Sequence, residues 1–320
     1  MKFFAGCVGY FLRGGNIMPN TNNSKQHNPE SLAADSQIPE ILPPTDDWVF
    51  KLLFGDKRNE SMLTDLLRSF VELPDEEFEL IFLDTHLKPE AADDKLGILD
   101  VKVQTKTGKI INIEIQVNPK KNIGKRISFY KSKLVVGQIS KGKNYNTIQK
   151  VLCICITNYT LFPNTKEYLN KFVFMNPEND LLFEDIPEVV YTLEASKLPA
   201  QSDGNALWGW LQFLRATTKE EFEMIASRSA EIRKAADLLY TLSSDEETRA
   251  QYEAYEKAWR DRMAEIDYAY DDGMEKGASQ AQERFVRNLA VMGMPMEEIA
   301  QAAELPVEQV RALAEKDAQP

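Results

Sequence analysis

The stretch "LDVKVQTKTGKIINIEIQV", residues 99–117, decides the fold because its apolar residues recur at every second position. A period of two is typical of β-strands, and the glycine in "TKTGK" predicts a turn between two of them. We therefore expect the segments 97–104 and 110–117 to pair as an antiparallel hairpin. With the turn centred on Thr107, residues whose numbers sum to 214 lie opposite one another.

This register brings two acids together on one face of the hairpin. Asp100 comes opposite Glu114, with roughly 5 Å between their Cβ atoms, and Gln116 follows on the same face. The other face is expected to form the core, through Leu99, Val101, Val103, Ile111, Ile113, Ile115 and Val117. Two carboxylates so close repel each other unless a cation lies between them, and Mg²⁺ favours oxygen ligands. The alternative is a solvent-exposed hairpin face that carries two acids.

The charge around the hairpin differs from that of the whole chain. The protein has 50 acidic and 38 basic residues, which argues against a surface that coats nucleic acid or anionic membrane throughout. Between residues 101 and 150, however, twelve Lys and Arg accompany a single acid, Glu114. Such a local patch is typical of a protein that contacts a phosphate backbone, and a solvated lysine-rich face is the alternative.

Histidine and cysteine are too scarce for several other kinds of site. His27 and His86 are the only histidines in the sequence, which excludes a histidine-rich zinc site. The cysteines, Cys7, Cys153 and Cys155, are too few for a disulfide framework, so we expect a reducing, cytoplasmic location. Cys153 and Cys155 lie in an apolar run and are expected to be buried core thiols.

Three regions follow from composition and periodicity. Residues 1–44 are rich in Asn, Ser and Pro after a short apolar start, which predicts a disordered leader, and no segment reaches transmembrane length. Residues 45–198 predict an α/β domain with a mixed sheet flanked by helices. Residues 206–320 are helical almost throughout and end in two short helices that resemble a helix-turn-helix. The mixed charge of the last helix favours a structural or protein-contact role over DNA reading.

The expected elements are helices over 45–55, 59–71 and 123–140, and strands over 78–87, 97–104, 110–117, 151–157, 171–176 and 188–194. Thr45 or Asp46 is expected to cap the first helix, and Gly55 to end it. The continuous apolar run "VLCICIT" at 151–157 predicts a central strand that is covered on both faces.

Four segments together carry a resemblance to a known family. They are "TDDWVFKLLFG", "GILDVKVQTKTGKIINIEIQ", "RISFYKSKLVVGQISKGKNYNTIQKVLCICI" and "YEAYEKAWRD". In this order they resemble the Rpn family of recombination-promoting nucleases and transposases, within the PD-(D/E)XK nuclease superfamily. The resemblance implies a restriction-endonuclease-like fold and metal-dependent hydrolysis of DNA that leaves 5′-phosphate and 3′-hydroxyl ends.

The resemblance also assigns roles to residues of the hairpin. By position, Asp100 and Glu114 match the two metal-binding acids of the family. Gln116 stands where the superfamily has a lysine, and glutamine at this place is usual in the family. A glutamine can orient the attacking water through hydrogen bonds but supplies no positive charge. Lys51 or Lys102 is therefore the candidate for the missing cation.

Two further motifs match the family. Asp47 and Lys51 fit its "D-x-x-F-K" signature, so Asp47 is either an accessory acid facing the metal or a cap of its helix. Gln138, Gly142 and Tyr145 fit its "Q-x-x-x-G-x-x-Y" motif. Tyr145 is a candidate for stacking on a base, with a core or hydroxyl-bonding role as the alternative.

The expected function is a Mg²⁺-dependent DNA endonuclease, in which Mn²⁺ can substitute for Mg²⁺ and the backbone carbonyl of Ile115 is a third metal ligand. DNA contacts are expected from Lys102, Lys120, Lys121, Lys125, Arg126, Lys131, Gln138 and Tyr145. One alternative is a DNA-binding protein with a weak or vestigial nuclease core, and another is a protein-interaction scaffold. A homodimer through the helical tail is expected if both DNA strands are cut.

Overall fold

A computed structural model describes residues 40–86, 99–119 and 121–315 of the chain. Most of the predicted leader and the candidate residue Lys120 lie outside these ranges. So do residues 87–98, which include the end of one expected strand and the beginning of the next.

A six-stranded mixed sheet forms the centre of the described fold. Its strands lie in the order β1, β2, β3, β4, β8, β5. They are β1 (Ile81–Phe82), β2 (Val101–Gln104), β3 (Ile110–Gln116), β4 (Val151–Thr157), β5 (Leu169–Phe172) and β8 (Glu188–Glu194). Strands β3, β4 and β8 are parallel, whereas β1, β2 and β5 are antiparallel to their neighbours. A separate hairpin pairs β6 (Met175–Asn176) with β7 (Leu181–Leu182).

The predicted register of the central hairpin is confirmed. Val101 pairs with Ile113 and Val103 with Ile111, as the sum of 214 requires. The turn contains Gly108 at a φ of +96°, a conformation that glycine adopts without strain. Asp100 directly precedes β2, so continuing the register places it opposite Glu114.

The hairpin is more deeply buried than one of the sequence interpretations allowed. Every residue of β3 is buried, so an exposed face carrying two acids is wrong. The expectation that Leu99 shares the face of Val101 is also wrong, because Leu99 precedes β2 and packs in the cluster of Tyr130 and Leu134. Val117 follows the end of β3 and is exposed.

Nine α-helices accompany the sheet in the described ranges. They are α1 (Asp47–Phe54), α2 (Glu60–Arg68), α3 (Ile123–Val136), α4 (Ala206–Arg215), α5 (Lys219–Ala226), α6 (Ala230–Ser244), α7 (Glu246–Val291), α8 (Met296–Ala303) and α9 (Val307–Glu315). Asp46 caps α1 through the amides of Trp48 and Val49, and Gly55 follows its last residue, as predicted. The single strand predicted at 171–176 is wrong, because this segment contributes to β5 and β6 in two different sheets.

Helices cover both faces of the sheet. One hydrophobic cluster joins β2, β3, β4 and β8 to α1, α2 and α4–α6, and it extends from Leu42 to Tyr252. Helix α3 covers the other face through a smaller cluster that contains Tyr130, Leu134 and Cys153. The predicted α/β architecture with a helical C-terminal region is therefore confirmed. The position of the domain boundary near residue 198 stays a prediction, since α4–α6 pack into the same core as the sheet.

Helix α7 has 46 residues, a length of roughly 70 Å. Its C-terminal part packs with α8 and α9 around Val286, Ile299 and Val310. In the described ranges, none of the helices is both long and apolar enough to cross a membrane. Cys153 and Cys155 are buried free thiols, and burial raises the pKa of each to about 12.

Candidate active site

Two buried carboxylates lie where the pairing of β2 with β3 ends. The residues Asp100 and Glu114 are each only 5% exposed. Hydrophobic packing on both faces of β3 keeps water from most of their surface, so neither charge is well solvated by bulk water. Carboxylates in such surroundings need hydrogen-bond donors, cations or a bound ion.

Asp100 has one donor from the backbone and one cation beside it. Its Oδ2 accepts a hydrogen bond from the Ile115 amide at 2.9 Å, since Ile115 lies beyond the last residue pair of β2 and β3. Its Oδ1 is 3.5 Å from Nζ of Lys51, which α1 supplies. The Lys51 side chain remains 34% exposed, so it reaches both the buried acid and the surface.

Glu114 receives an arginine from the opposite helix. Its Oε2 is 3.5 Å from Nη2 of Arg126, and the Arg126 guanidinium lies 4.9 Å over the ring of Tyr130. Its Oε1 accepts a hydrogen bond of 3.4 Å from Nδ2 of Asn112, two residues earlier on β3. Oδ1 of Asn112 is buried and has no hydrogen-bond partner in the described part of the chain. An unsatisfied oxygen beside the acid pair fits a site that a bound group completes.

Burial and mutual repulsion disfavour the charged forms of both acids. The pKa of Glu114 is raised to about 7, first by burial and then by the charge of Asp100, with Arg126 acting in the opposite direction. The pKa of Asp100 is raised by burial, while the Ile115 amide and Lys51 partly offset this effect. A divalent cation between the two carboxylates would relieve both causes.

The raised pKa of Glu114 predicts a pH dependence of the stability of the metal-free protein. Because the folded protein holds this proton more tightly than the unfolded chain, the stabilisation is complete below about pH 4.5 and is lost as the pH rises through about 7. The unfolding temperature of Glu114→Gln minus that of the parent, measured in EDTA, should therefore increase from pH 4.5 to pH 8. A difference that stays constant over this range contradicts the assignment.

Asp47 is held beside the acid pair by a residue of α7. Asp46 is the cap of α1, and the negative charge of Asp47 acts to raise the pKa of Asp100. The Tyr255 hydroxyl donates a short hydrogen bond to Oδ1 of Asp47, and its ring stacks on Trp48 with 6.4 Å between centroids. Sequence reasoning did not identify Tyr255 as part of this site, although it belongs to the "YEAYEKAWRD" motif.

A hydrogen bond joins two of the predicted site residues, Gln116 and Ile115. Nε2 of Gln116 donates to the carbonyl oxygen of Ile115 at 2.8 Å. This oxygen, which was expected to be a third metal ligand, therefore has the Gln116 amide beside it. No group of three or more His, Cys, Asp or Glu side chains is arranged for a metal within the described residues. In the described residues, the carboxylates that could bind a metal here are those of Asp100 and Glu114, and Asp47 is close enough to Asp100 for its charge to act on it.

The predicted basic residues divide into two groups. Lys51 and Arg126 contact the acid pair directly, whereas Nζ of Lys102 donates to the backbone carbonyl of Asp84 at 3.2 Å. Of the two candidate cations, Lys51 is therefore the one beside Asp100. Near the start of α3, Lys121 and Lys125 are exposed and close in sequence to Arg126.

Three other predicted contacts lie further from the acids. Lys131 is largely buried, and its Nζ is 3.5 Å from Oε1 of Glu188. The Gln138 side chain exchanges hydrogen bonds of 3.1 and 2.8 Å with the backbone of Gln149. Tyr145 is 79% exposed. Gln138 and Tyr145 follow the C-terminal end of α3, whereas Arg126 is near its beginning, so the structure does not bring them to the acid pair.

The site residues fit a divalent metal ion through the chemistry of their donors. Asp100 and Glu114 offer hard carboxylate oxygens, which Mg²⁺ and Mn²⁺ prefer, and their own pKa values show the cost of leaving them without a cation. A mixed six-stranded sheet between helices, with a central hairpin, is the architecture of the restriction-endonuclease-like fold found in the PD-(D/E)XK nuclease class.

A family model described as "PD-(D/E)XK nuclease family transposase" matches residues 44–269. This match covers more than half of the chain, and the protein belongs to that family. Membership implies a nuclease-like function on DNA, and nucleases of this class typically use divalent metal ions. No significant similarity was found to curated proteins or to solved structures.

Proposed function

We propose that the protein is a metal-dependent DNA endonuclease that hydrolyses phosphodiester bonds with Mg²⁺, or with Mn²⁺ in its place, and promotes DNA recombination. The single observation that carries this proposal is the buried pair of Asp100 and Glu114, flanked by Lys51 on one side and Arg126 on the other. We also propose a cytoplasmic location, which the free thiols of Cys153 and Cys155 support because reducing compartments keep thiols free.

Each residue has a distinct part in the proposed reaction. Asp100 and Glu114 would hold the ion together with the Ile115 carbonyl, and a bound ion supplies an activated water and offsets the charge on the phosphate. The Gln116 amide donates a hydrogen bond to the Ile115 carbonyl, and we propose that the Gln116 side chain also orients the water. Lys51 is partly exposed beside Asp100 and supplies the positive charge that the superfamily obtains from a lysine at the position of Gln116.

The basic surface is proposed to hold the DNA strand. Lys121 and Lys125 are exposed near the start of α3, where Arg126 already contacts Glu114. Cations at this place would bind phosphates on either side of the cut, which makes binding sensitive to salt. Contacts from the remaining predicted residues, Lys102, Lys131, Gln138 and Tyr145, stay predictions, as does a contact from Lys120.

Cleavage of supercoiled plasmid tests the proposal. The purified protein should nick the plasmid with Mg²⁺ or Mn²⁺ and not with EDTA, and the nicks should be sealed by DNA ligase because the products carry 5′-phosphate and 3′-hydroxyl ends. Salt-dependent binding without cleavage at any concentration of either ion would instead support the second candidate function. That candidate is a DNA-binding protein with a vestigial nuclease core, which the absence of a charge at Gln116 favours.

Helix α7 carries the proposed homodimer contact. Trp259, Met263, Ile266 and Tyr270 follow one another at intervals of four, three and four residues, the spacing of a coiled-coil seam. Trp259, Ile266 and Tyr270 are between 44% and 66% exposed. A second copy of the chain, packed along this seam, would cover them and bring two active sites together.

Substitution within this seam should therefore change the oligomeric state. We expect the parent to be a dimer in sedimentation experiments and Ile266→Asp to be a monomer, because a charge at the centre of an apolar seam is costly to bury. Tyr268→Asp is the matched control, since Tyr268 is also exposed on α7 but lies outside the seam. A monomeric parent, or equal effects of the two substitutions, would contradict the proposed dimer.

A further inference from the structure

A cavity lies on the α3 side of the sheet, and neither acid of the pair lines it. Its volume is about 310 Å³, near the lower end of the range for small-molecule sites. The lining is mostly apolar and comes from α3, from the loop after β4 and from β5 and β8, and it includes Gly124, Ile127, Leu161, Phe162, Phe172 and Thr192.

The strand register connects this cavity with the active site. Glu114 on β3 pairs with Cys155 on β4, and Cys155 pairs with Thr192 on β8. Residues paired across adjacent strands point to the same face, and strands lie about 4.8 Å apart, so Thr192 is roughly 10 Å from Glu114 along one row. Helix α3 spans the same distance, since Arg126 contacts Glu114 and its neighbour Ile127 lines the cavity.

One wall of the cavity is fixed by a buried ion pair. The Glu194 side chain is fully buried, and its Oε2 accepts hydrogen bonds from the amides of Leu161 at 2.7 Å and Phe162 at 3.1 Å. Nζ of Lys197 donates to the Phe162 carbonyl at 2.7 Å and to Oε1 of Glu194 at 2.8 Å. The loop that carries Leu161 and Phe162 is thus held in place before any ligand binds, which favours recognition of a rigid group.

Thr192 adds a polar group among these apolar residues. It is 2% exposed, and among the described residues its hydroxyl oxygen has no hydrogen-bond partner. A buried hydroxyl without a partner costs free energy that a valine of the same shape would not. Thr192 is therefore a candidate for a hydrogen bond to a ligand.

We propose that this cavity receives a nucleobase of the DNA strand that is cut, turned out of its stack. The inference rests on the proposed endonuclease function. A base is flat and apolar on its faces and carries donors and acceptors on its edge, which suits Phe162 and Phe172 beside the Thr192 hydroxyl. The basic residues around the start of α3 would hold the phosphates that connect this base to the acid pair.

Gly124 offers a direct test, because it lines the cavity and a larger side chain there would narrow it. A Cβ built at Gly124 meets no atom within 4 Å, and the residue lies in the first turn of α3. Gly124→Leu should therefore fold and improve the helix propensity of α3 while it excludes the base. Gly273→Leu is the matched control, since Gly273 lies in α7 and its Cβ would also meet no atom within 4 Å.

The readout is cleavage of a set of oligonucleotide duplexes, each with one abasic site at a different distance from the cut. With the parent and with Gly273→Leu, an abasic site at one particular position should reduce the cleavage rate about tenfold, in line with the loss of one base contact. Gly124→Leu should cut the intact duplex about tenfold more slowly and show no such position. Thr192→Val should keep or raise the unfolding temperature, because it removes an unpaired buried hydroxyl, and should lose any preference among the four bases at that position.

The outcomes separate this inference from the proposed function. If the parent cuts but no abasic position matters, and Gly124→Leu cuts as fast as Gly273→Leu, the base cavity is wrong while the endonuclease stands. If the parent does not cut with Mg²⁺ or Mn²⁺, the endonuclease proposal fails. Binding of the same duplexes, followed by fluorescence anisotropy, then decides the cavity. Unchanged affinity for every abasic duplex overturns it, and a loss at one position in the parent and in Gly273→Leu, but not in Gly124→Leu, supports it.

Discussion

Glu114→Gln and Asp100→Asn are each expected to abolish metal-dependent cleavage without destabilising the metal-free protein. Each substitution removes a carboxylate ligand, and loss of the several kcal/mol that a bound ion contributes to the transition state corresponds to a decrease of at least about 10³-fold. The folded chain tolerates the amides because burial already favours the uncharged form of both acids. Most mutations that inactivate an enzyme through its core would lower its stability instead.

The measurement pairs a plasmid-nicking rate with a thermal unfolding curve in EDTA at pH 8. Glu72→Gln is the control, since Glu72 is an exposed acid that pairs with Lys171 on the surface, and it should cut as fast as the parent. Calorimetric titration with Mn²⁺ should show binding to the parent and to Glu72→Gln and much weaker binding to the two site variants. Cleavage at the parental rate by either site variant would show that the substituted acid is not part of the active site.

Lys197→Met is expected to cause a large loss of stability, because Lys197 pairs with a fully buried acid. It leaves the fully buried Glu194 carboxylate without its cation, and breaking a buried pair from one side costs about 3–5 kcal/mol. Urea unfolding should show this loss as a lower midpoint with an unchanged slope. The wall of the cavity at Phe162 should loosen at the same time, because Lys197 also holds its carbonyl.

A second substitution separates the buried charge from the lost packing. In Lys197→Met with Glu194→Gln, the amide oxygen still accepts from the amides of Leu161 and Phe162, so part of the stability should return. Lys171→Met is the matched control, since its partner Glu72 is exposed and exposed ion pairs contribute little. Equal losses for Lys171→Met and Lys197→Met would show that burial of Glu194 does not determine the effect.

The hairpin and its acid pair could be predicted from the sequence because both depend on local rules. A period of two, a glycine turn and the register they impose act within about 20 residues, and they place Asp100 opposite Glu114. The limits of the strands were less predictable. Of the strand expected at 78–87, the described residues form a short strand at Ile81–Phe82 and an isolated bridge at His86, while Phe78 ends a 3-10 helix.

The groups around the acids could not be predicted in the same way, because they come from distant parts of the chain. Tyr255 reaches Asp47 across 208 positions, and no local period links the two. Asn112 could have been identified, since it lies two residues before Glu114 and thus on the same face of β3. Arg126 was expected to bind DNA, and the choice between Lys51 and Lys102 required the packing of α1 against β3.

Helix α7 sets a fixed distance between two parts of the molecule. Tyr255, near one end of α7, binds Asp47 beside the acid pair, and Val286, near the other end, belongs to the terminal bundle with α8 and α9. The 31 residue steps from Tyr255 to Val286 span roughly 46 Å at about 1.5 Å per residue, the length of about 14 base pairs of B-form DNA. If the protein cuts DNA as proposed, a molecule bound by the terminal bundle would lie at a fixed distance from the cut. Inserting or deleting helical turns in α7 would then shift the position of the cut by the length of those turns.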